Sequence, residues 1–524
     1  MKVFEMQSRS MVRIGDDKSS LRTRQLPLFC ETYNQFFWRR PWLLAFQRRI
    51  CMMVRHDLAA ERRENPSPVT MTAKSHWSSK TKPSRVDPAQ FTPSFAYRGS
   101  ASHRQNLFCE GVPLDRIAGF AGTPAYVYSR ASIEGAYRGL DRAFGSLPHQ
   151  LCYAVKANSN LAVLRVLANL GSAFDVVSAG ELDRLRRVGV SGKRIVFSGV
   201  GKTREEIREA LCYPGGHARA NGILLFNIES AGELEVLLSE AARRPAGTDA
   251  RPLAAIRVNP GVLAGGHPHI ATGTHEHKFG VNWQQARLLY LAHKDSRWLT
   301  WGGISAHLGS QIFSLTPYRQ ALRRLASYVR ELAMEGIPIT YVDIGGGLGI
   351  RYTREIPPVP SRYASALARI VRPLGCRLLI EPGRALVGPA GVLLTRVLYI
   401  KQNRGRTFVV VDAAMNDLIR PVLYSATHVI TPVVRNHLSA TKVTRVDVVG
   451  PVCESGDFLA LNWPLPPVQP GDVLVVWTAG AYGFVQSSNY NARRRVPEVL
   501  VEGREFRIVR QRETYDDLVR GERL

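Results

Sequence analysis

A lysine closes an apolar run at Tyr153-Ala-Val-Lys156, and three further clusters lie far along the chain: His307-Leu-Gly-Ser310-Gln, Asp343-Ile-Gly345-Gly346-Gly347 and Glu381-Pro382-Gly383-Arg384. A lysine at the end of a buried strand is poorly solvated. Desolvation disfavours the ammonium, lowers its pKa and leaves a nucleophilic amine suited to a Schiff base with a carbonyl. Three consecutive glycines let backbone N–H groups approach an anion closely, and no Gly-Lys-Ser/Thr follows, so the run is not a nucleotide P-loop. An imidazole such as His307 offers a flat face for stacking, and a carboxylate such as Glu381 can keep a ring nitrogen protonated. Each feature alone has an ordinary explanation: a lysine snorkelling to solvent, a tight turn, a histidine satisfied in the core.

The elements that carry these residues give them joint meaning. From about Thr123, short β-branched runs alternate with amphipathic stretches such as Leu161–Asn169, Glu181–Val188 and Tyr318–Glu335. Eight runs read as strands, beginning at Tyr153, Phe174, Ile195, Ile223, Ala255, Ile304, Tyr341 and Leu378. Eight βα repeats are what a (β/α)8 TIM-type barrel requires, although a doubly wound sheet also alternates. In a barrel, chemistry sits at the C-terminal strand ends, with phosphate held after strands seven and eight. Lys156, His307, the glycine run and Glu381 fall at the ends of strands one, six, seven and eight. A Schiff-base lysine, a phosphate cradle, a stacking imidazole and a carboxylate for a ring nitrogen are together the needs of pyridoxal 5′-phosphate.

After Pro389 the rhythm changes. Val392–Lys401, Thr407–Asp412, Val443–Val449, Asp472–Trp477 and Phe506–Arg510 read as strands with little helix between them, which makes a second, all-β domain, sandwich- or barrel-like. The expected organisation is α/β: a basic extension over 1–104, a cofactor-binding barrel over 105–390 and a β domain over 391–524. The early strand Ala125–Ser129 is expected to pair with the β domain.

The composition excludes several classes. The 524 residues are 45% hydrophobic and 22% charged, enough apolar material for a large core. No run of about 18 apolar residues exists for a membrane helix. The seven cysteines are odd in number and include no Cys-x-x-Cys pair, which points to a reducing, cytoplasmic setting and away from a structural zinc. The net charge of +27 is spread along the chain, and no nucleic-acid-binding motif accompanies it; a basic surface that draws small anions is the simpler reading. The first hundred residues are Arg-rich and then Pro- and Ser-rich. The favoured reading is that Met71 is the true start; a disordered tail and a targeting peptide are the alternatives.

With these segments in view, the chain resembles the fold-type III pyridoxal-phosphate decarboxylases, and within them the diaminopimelate decarboxylases. The segments that carry the resemblance are Tyr153-Ala-Val-Lys-Ala-Asn, Phe174-Asp-Val-Val-Ser-Ala-Gly-Glu, His277-Lys-Phe-Gly, His307-Leu-Gly-Ser-Gln, Gly345-Gly-Gly and Glu381-Pro-Gly-Arg. Further on come Met415-Asn-Asp-Leu-Ile-Arg-Pro-Val-Leu-Tyr, Gly450-Pro-Val-Cys-Glu-Ser-Gly-Asp and Gly480-Ala-Tyr. The resemblance runs from about Phe108 to the C-terminus. Leu308 departs from it, since relatives often carry Ile there.

The resemblance implies roles residue by residue. Lys156 would carry the cofactor and His307 would stack on it. Ser310, Gly346 and Gly347, with Glu381, Pro382, Gly383 and Arg384, would bind the phosphate and ring nitrogen. Arg384, Arg420 and Tyr424 would hold the distal carboxylate of meso-2,6-diaminopimelate, and Glu454 its distal ammonium. Tyr482 would touch both cofactor and substrate. Cys453 would protonate the substrate carbon after carbon dioxide leaves. Cys453 and Glu454 would reach the other subunit's site, which implies an obligate homodimer with shared active sites. No metal, nucleic acid or membrane enters this picture. Two other readings stay open: an ornithine, arginine or carboxynorspermidine decarboxylase of the same fold, and a basic binding protein that has lost catalysis.

Overall fold

The structure is a computed structural model that describes residues 87–100, 104–215, 222–244, 251–263, 278–436 and 443–524. Most of the basic extension, with Cys30, Cys51, Met71 and His277, lies outside the described residues.

In chain order the strands begin with β1 (Phe95–Gly99), β2 (Arg104–Cys109), β3 (Val112–Pro113) and β4 (Ala125–Ser129). Eight parallel strands follow: β5 (His149–Ala154), β6 (Ala173–Val176), β7 (Ile195–Phe197), β8 (Leu225–Ile228), β9 (Leu253–Arg257), β10 (Thr300–Ser305), β11 (Tyr341–Asp343) and β12 (Arg377–Ile380). They form one closed barrel, sealed where β12 pairs with β5 at Leu378 opposite His149. The barrel expected from the sequence is thus present, and each of the eight apolar runs overlaps one of its strands.

The intervening helices form for readable reasons. Ala179–Val188 starts at Ser178, whose hydroxyl accepts the Glu181 N–H, and stops at Gly189 in the left-handed conformation. Thr316–Met334 buries Tyr318, Leu322, Leu325, Val329 and Leu332, one face at helical spacing, against the barrel.

The remaining strands are β13 (Gly391–Asn403), β14 (Arg406–Val411), β15 (Ile430–Pro432), β16 (Val434–Asn436), β17 (Thr444–Val449), β18 (Phe458–Leu465), β19 (Val473–Val476), β20 (Glu498–Glu502) and β21 (Glu505–Arg510). β16 pairs with β2; the other eight join β4 in a nine-stranded sheet in which β4 is central. It runs antiparallel to β13, with Val392 opposite Val127, and parallel to β20, with Val499 opposite Val127.

Two boundaries differ from the sequence reading. The extension expected to reach residue 104 ends earlier. Pro88–Gln90 is a helical turn capped by Asp87, and β1 pairs antiparallel with β2. Residues 105–123, placed with the barrel by sequence, pack instead with the β domain. Leu107, Cys109, Val112, Leu114 and Ile117 share one buried cluster with Val392, Trp477 and Val499. Burial of that apolar face outweighs the polar look of the flanking sequence.

Candidate active site

The lysine that opened the sequence reading lies just beyond its strand. β5 ends at Ala154, and Lys156 sits in a single 3-10 turn, Val155–Ala157. That turn is held from several sides. Tyr153 Oη donates to the Asn158 carbonyl at 2.9 Å, Asn158 Nδ2 to the Gly480 carbonyl at 3.1 Å, and the Tyr482 N–H to the Ala157 carbonyl at 2.8 Å. Residues of the β-domain segment after β19 therefore fix the lysine turn directly.

The lysine is not the depressed amine expected from desolvation. Its ammonium donates to Asp175 Oδ2 at 2.6 Å. Burial works to lower its pKa, but the carboxylates of Asp175 and Glu381 win and raise it. Asp175, on β6 and fully buried, is in turn pushed up to about 6 by burial and by the negative charge of Glu381, against the pull of Lys156.

A second carboxylate cluster lines the same barrel end. Glu381 follows β12, with Oε2 3.7 Å from His307 Nδ1. Burial opposes its charge, yet His307 and the Lys156 ammonium hold it down at about 2. Asp343, at the end of β11, is pushed well up by burial and by Glu381, so the shared proton resides on Asp343. Its oxygens accept from the Gly345 N–H at 2.8 Å and from Asn227 Nδ2 at 3.0 Å. His307 accepts the Gly346 N–H on Nδ1 at 3.2 Å, and burial lowers its pKa, so the ring is neutral.

The glycine run is required by space. A Cβ on Gly345, at φ +69°, would come within 2.4 Å of His307 Nδ1. One on Gly347, at φ +93°, would come within 2.5 Å of the Gly309 carbonyl oxygen. The Gly346 N–H donates to His307 and so helps to orient the imidazole. The cleft itself is lined by Lys156, His307, Gly309, Ser310, Gly347, Glu381, Pro382, Gly383, Arg384 and Tyr482, among others.

Arg384 opens the short helix Arg384–Val387 and is buried. It donates to Tyr352 Oη at 2.7 Å and to Ser310 Oγ at 2.9 Å, while its Nε has no hydrogen-bond partner among the described residues. Its guanidinium lies 4.7 Å from the Tyr482 ring centre. Arg420, at the start of the short helix Arg420–Tyr424, is buried as well and lies 4.7 Å from the Tyr352 ring centre. Tyr424 Oη accepts from Gln486 Nε2 at 3.1 Å.

Cys453 and Glu454 stand apart. They occupy the turn between β17 and β18, are exposed, and do not line this cleft. The turn is pinned by Asp457, whose two carboxylate oxygens accept from the Met415 and Val452 N–H groups, each at 2.7 Å.

The sequence reading missed Asp175, Asp343, Tyr352 and His428. For the two aspartates a signal existed: each is a carboxylate inside an otherwise apolar strand, Ala-Phe-Asp-Val and Tyr-Val-Asp. Tyr352 and His428 fall in irregular segments where no periodicity marks them.

These residues fit pyridoxal 5′-phosphate. The cleft has an amine at one end, Gly347 and Ser310 in its lining, an ionised carboxylate for a ring nitrogen and a buried guanidinium with a donor unused among the described residues. Among the described residues, no cluster of three or more His, Cys, Asp or Glu side chains could hold a metal, and no helix is long and apolar enough to cross a membrane.

Comparison with known proteins agrees with this geometry. Residues 130–388 match the pyridoxal-binding domain of the pyridoxal-dependent decarboxylases. Diaminopimelate decarboxylase of Pseudomonas aeruginosa is 47% identical over 431 residues, covering 82% of this chain and 99% of that protein. The Vibrio cholerae enzyme is 46% identical over 79% of this chain and 95% of its own length. The crystal structure of the Helicobacter pylori diaminopimelate decarboxylase with L-lysine aligns at a TM-score of 0.72 and 37% identity, over 78% of this chain and 98% of that one. The chain belongs to the diaminopimelate decarboxylase family.

Proposed function

We infer the following division of labour for the reaction of this enzyme, the pyridoxal-phosphate-dependent decarboxylation of meso-2,6-diaminopimelate to L-lysine and carbon dioxide, last step of lysine biosynthesis. When bound, the cofactor supplies an electron sink for the pair released as the carboxylate leaves. Lys156 is the amine that carries it, and Asp175, 2.6 Å from Nζ, is the nearest base to receive the ammonium's proton. Glu381 stays ionised and holds a proton on the ring nitrogen. His307, turned by Gly346, offers its neutral face to the ring. Ser310 and Gly347, with the Glu381–Arg384 turn, hold the phosphate.

Arg384 and Arg420, with Tyr424, hold the distal carboxylate. The observation that carries this reading is that two buried guanidiniums, Arg384 lining the cleft and Arg420 on the Tyr352 ring beside it, form no ion pair among the described residues; their surroundings include one another and tyrosine hydroxyls. Burying such charge is costly without a counter-ion, and a substrate with a second carboxylate supplies it. Glu454 takes the distal ammonium and Cys453 returns a proton to the substrate carbon. Both act in the site of a second copy, so the working form is a homodimer with shared sites; their exposure on the chain's own surface supports this. The protein works in the cytoplasm with no nucleic-acid or membrane partner. Its parts are the N-terminal extension, a barrel up to about residue 390 and the β domain, with residues 87–123 joined to the last.

The test is carbon dioxide release from meso-diaminopimelate, L-ornithine and L-lysine side by side. A site built on polar groups discriminates by about 10⁴ against a ligand that leaves them unpaired. Comparable rates on ornithine and diaminopimelate would transfer the reading to the ornithine-type enzymes.

A further inference from the structure

Arg384 and Arg420 are kept close together by two side chains that are not carboxylates: the His428 imidazole and the Tyr352 phenol, whose pKa the two guanidiniums draw below its ordinary value against the effect of burial. Tyr352 Oη accepts from Arg384 Nη1 at 2.7 Å, and the Arg420 guanidinium lies over its ring at 4.7 Å. His428, completely buried, meets the other side of Arg420: the distance from Arg420 Nη1 to His428 Nε2 is 2.7 Å. The far nitrogen, His428 Nδ1, is 2.8 Å from the Trp477 carbonyl oxygen. A guanidinium only donates and a carbonyl only accepts. His428 must therefore accept on Nε2 and donate from Nδ1, and only the neutral Nδ1–H tautomer does both. The Tyr352 and His428 rings also meet edge to face, 5.2 Å apart at 83°. The four side chains form one buried unit: two cations and two neutral acceptors.

An acceptor here could have been a carboxylate, which is the usual partner of a buried arginine. A carboxylate would cancel the charge in place. A phenol and a neutral imidazole satisfy the hydrogen-bonding geometry and leave the positive charge standing. We propose that Tyr352 and His428 are specificity-determining positioning residues, which orient the Arg384–Arg420 pair through neutral acceptors so that its charge is reserved for the substrate's distal carboxylate. Neither Tyr352 nor His428 lines the cleft that holds Lys156, so their effect falls on binding of the dicarboxylate and not on bond breaking.

This proposal rests on the assignment of Arg384 and Arg420 to the distal carboxylate, and the experiment separates the two. KM and kcat for meso-diaminopimelate are measured for the pyridoxal-phosphate-loaded Arg420→Met, Tyr352→Phe, His428→Gln and His428→Asp variants. The visible absorbance of bound cofactor and the melting temperature are measured alongside. Tyr352→Phe removes one acceptor and is expected to raise KM about tenfold with kcat within about threefold of the parent. His428→Gln offers a neutral acceptor and a donor, and is expected to keep KM within about threefold. His428→Asp places a counter-charge on Arg420 and is expected to raise KM by about 30-fold or more, with cofactor absorbance unchanged.

If Arg420→Met leaves KM unchanged, the assignment of the arginine pair itself fails. If Arg420→Met raises KM while His428→Asp and His428→Gln behave alike, the reserved-charge proposal is overturned and the assignment survives. Should His428→Asp melt too low to assay, Tyr352→Phe decides: a fall in kcat at unchanged KM overturns the proposal, and the KM rise upholds it.

Discussion

The Lys156 ammonium and the Asp175 carboxylate are 2.6 Å apart at the mouth of the barrel, and both are held at pKa values above their ordinary ones. The pair is asymmetric in origin. Asp175 is raised by burial and by Glu381; Lys156 is raised in spite of burial, by Asp175 and Glu381. The lysine therefore has a base beside it to receive its proton.

Replacing Lys156 by Ala is expected to remove the visible absorbance of covalently held cofactor together with nearly all turnover. A variant that stays yellow and active would show that another amine carries the cofactor.

Asp175→Asn keeps the shape of the side chain and removes the base. Turnover is expected to fall by roughly 10²-fold, the lower end for loss of a proton-transfer partner. Bound-cofactor absorbance should persist, because Lys156 remains. The pH–rate profile checks the cause: a variant with an unshifted profile and unchanged rate would leave Asp175 a purely structural role.

Mixing Lys156→Ala with Cys453→Ala subunits tests the shared site. Each protein alone is expected to be inactive. After exchange, one of the two sites in every mixed dimer combines an intact Lys156 with an intact Cys453 from the other chain. Activity should return in step with exchange, followed by native mass measurement; exchange without recovery would place Cys453 in its own chain's site.

His428 gives a stability prediction with a definite sign. Burial, with Arg420 beside it, lowers its pKa from about 6.5 to about 3. A group depressed on folding contributes stability that is present above its unfolded value and is lost as pH falls from there through the folded value. Between pH 7 and pH 5 the parent should therefore lose melting temperature relative to His428→Gln. A constant difference across that range would mean that the imidazole titrates in the fold as it does in the unfolded chain, and a relative gain by the parent on acidification would mean that it is charged in the fold.

A chain beginning at Met71 retains every described residue. It is expected to melt and turn over like the full chain, and a drop of several degrees in a thermal scan would show that the extension packs on the core.

Much of the architecture was legible in the sequence because barrel strands buried on both faces write themselves as short β-branched runs, and the loops after them carry the chemistry. Lys156, His307 and Glu381 could be read from their place at strand ends. The sign of the lysine's pKa shift could not. Desolvation is visible in a sequence as an apolar neighbourhood, whereas the opposing carboxylates come from strands 19 and 225 positions away. Tyr352 and His428 escaped for a similar reason: their importance lies in what they touch, Arg384 and Arg420, and nothing in their own segments announces it. The boundary error at residues 87–123 arose because an apolar face made of Phe95, Leu107 and Ile117 is spread thinly among polar positions.

The central place of β4 also bears on how the protein is made. Tyr128 on β4 bonds to Glu498 on β20 at 2.8 Å, a contact 370 positions apart along the chain. During translation, at roughly 5–20 residues per second, β4 emerges early and must wait for its neighbour. Until β20 leaves the ribosome, one flank of β4 is an open strand edge, all five of whose residues are destined for burial, and such edges invite pairing with other chains. Tyr482 and Gly480, which fix the turn bearing Lys156, also arrive late. The nascent barrel can therefore close long before it can hold its catalytic lysine in place, and chains that stop short of β20 should be cleared or aggregate rather than accumulate as partly active enzyme.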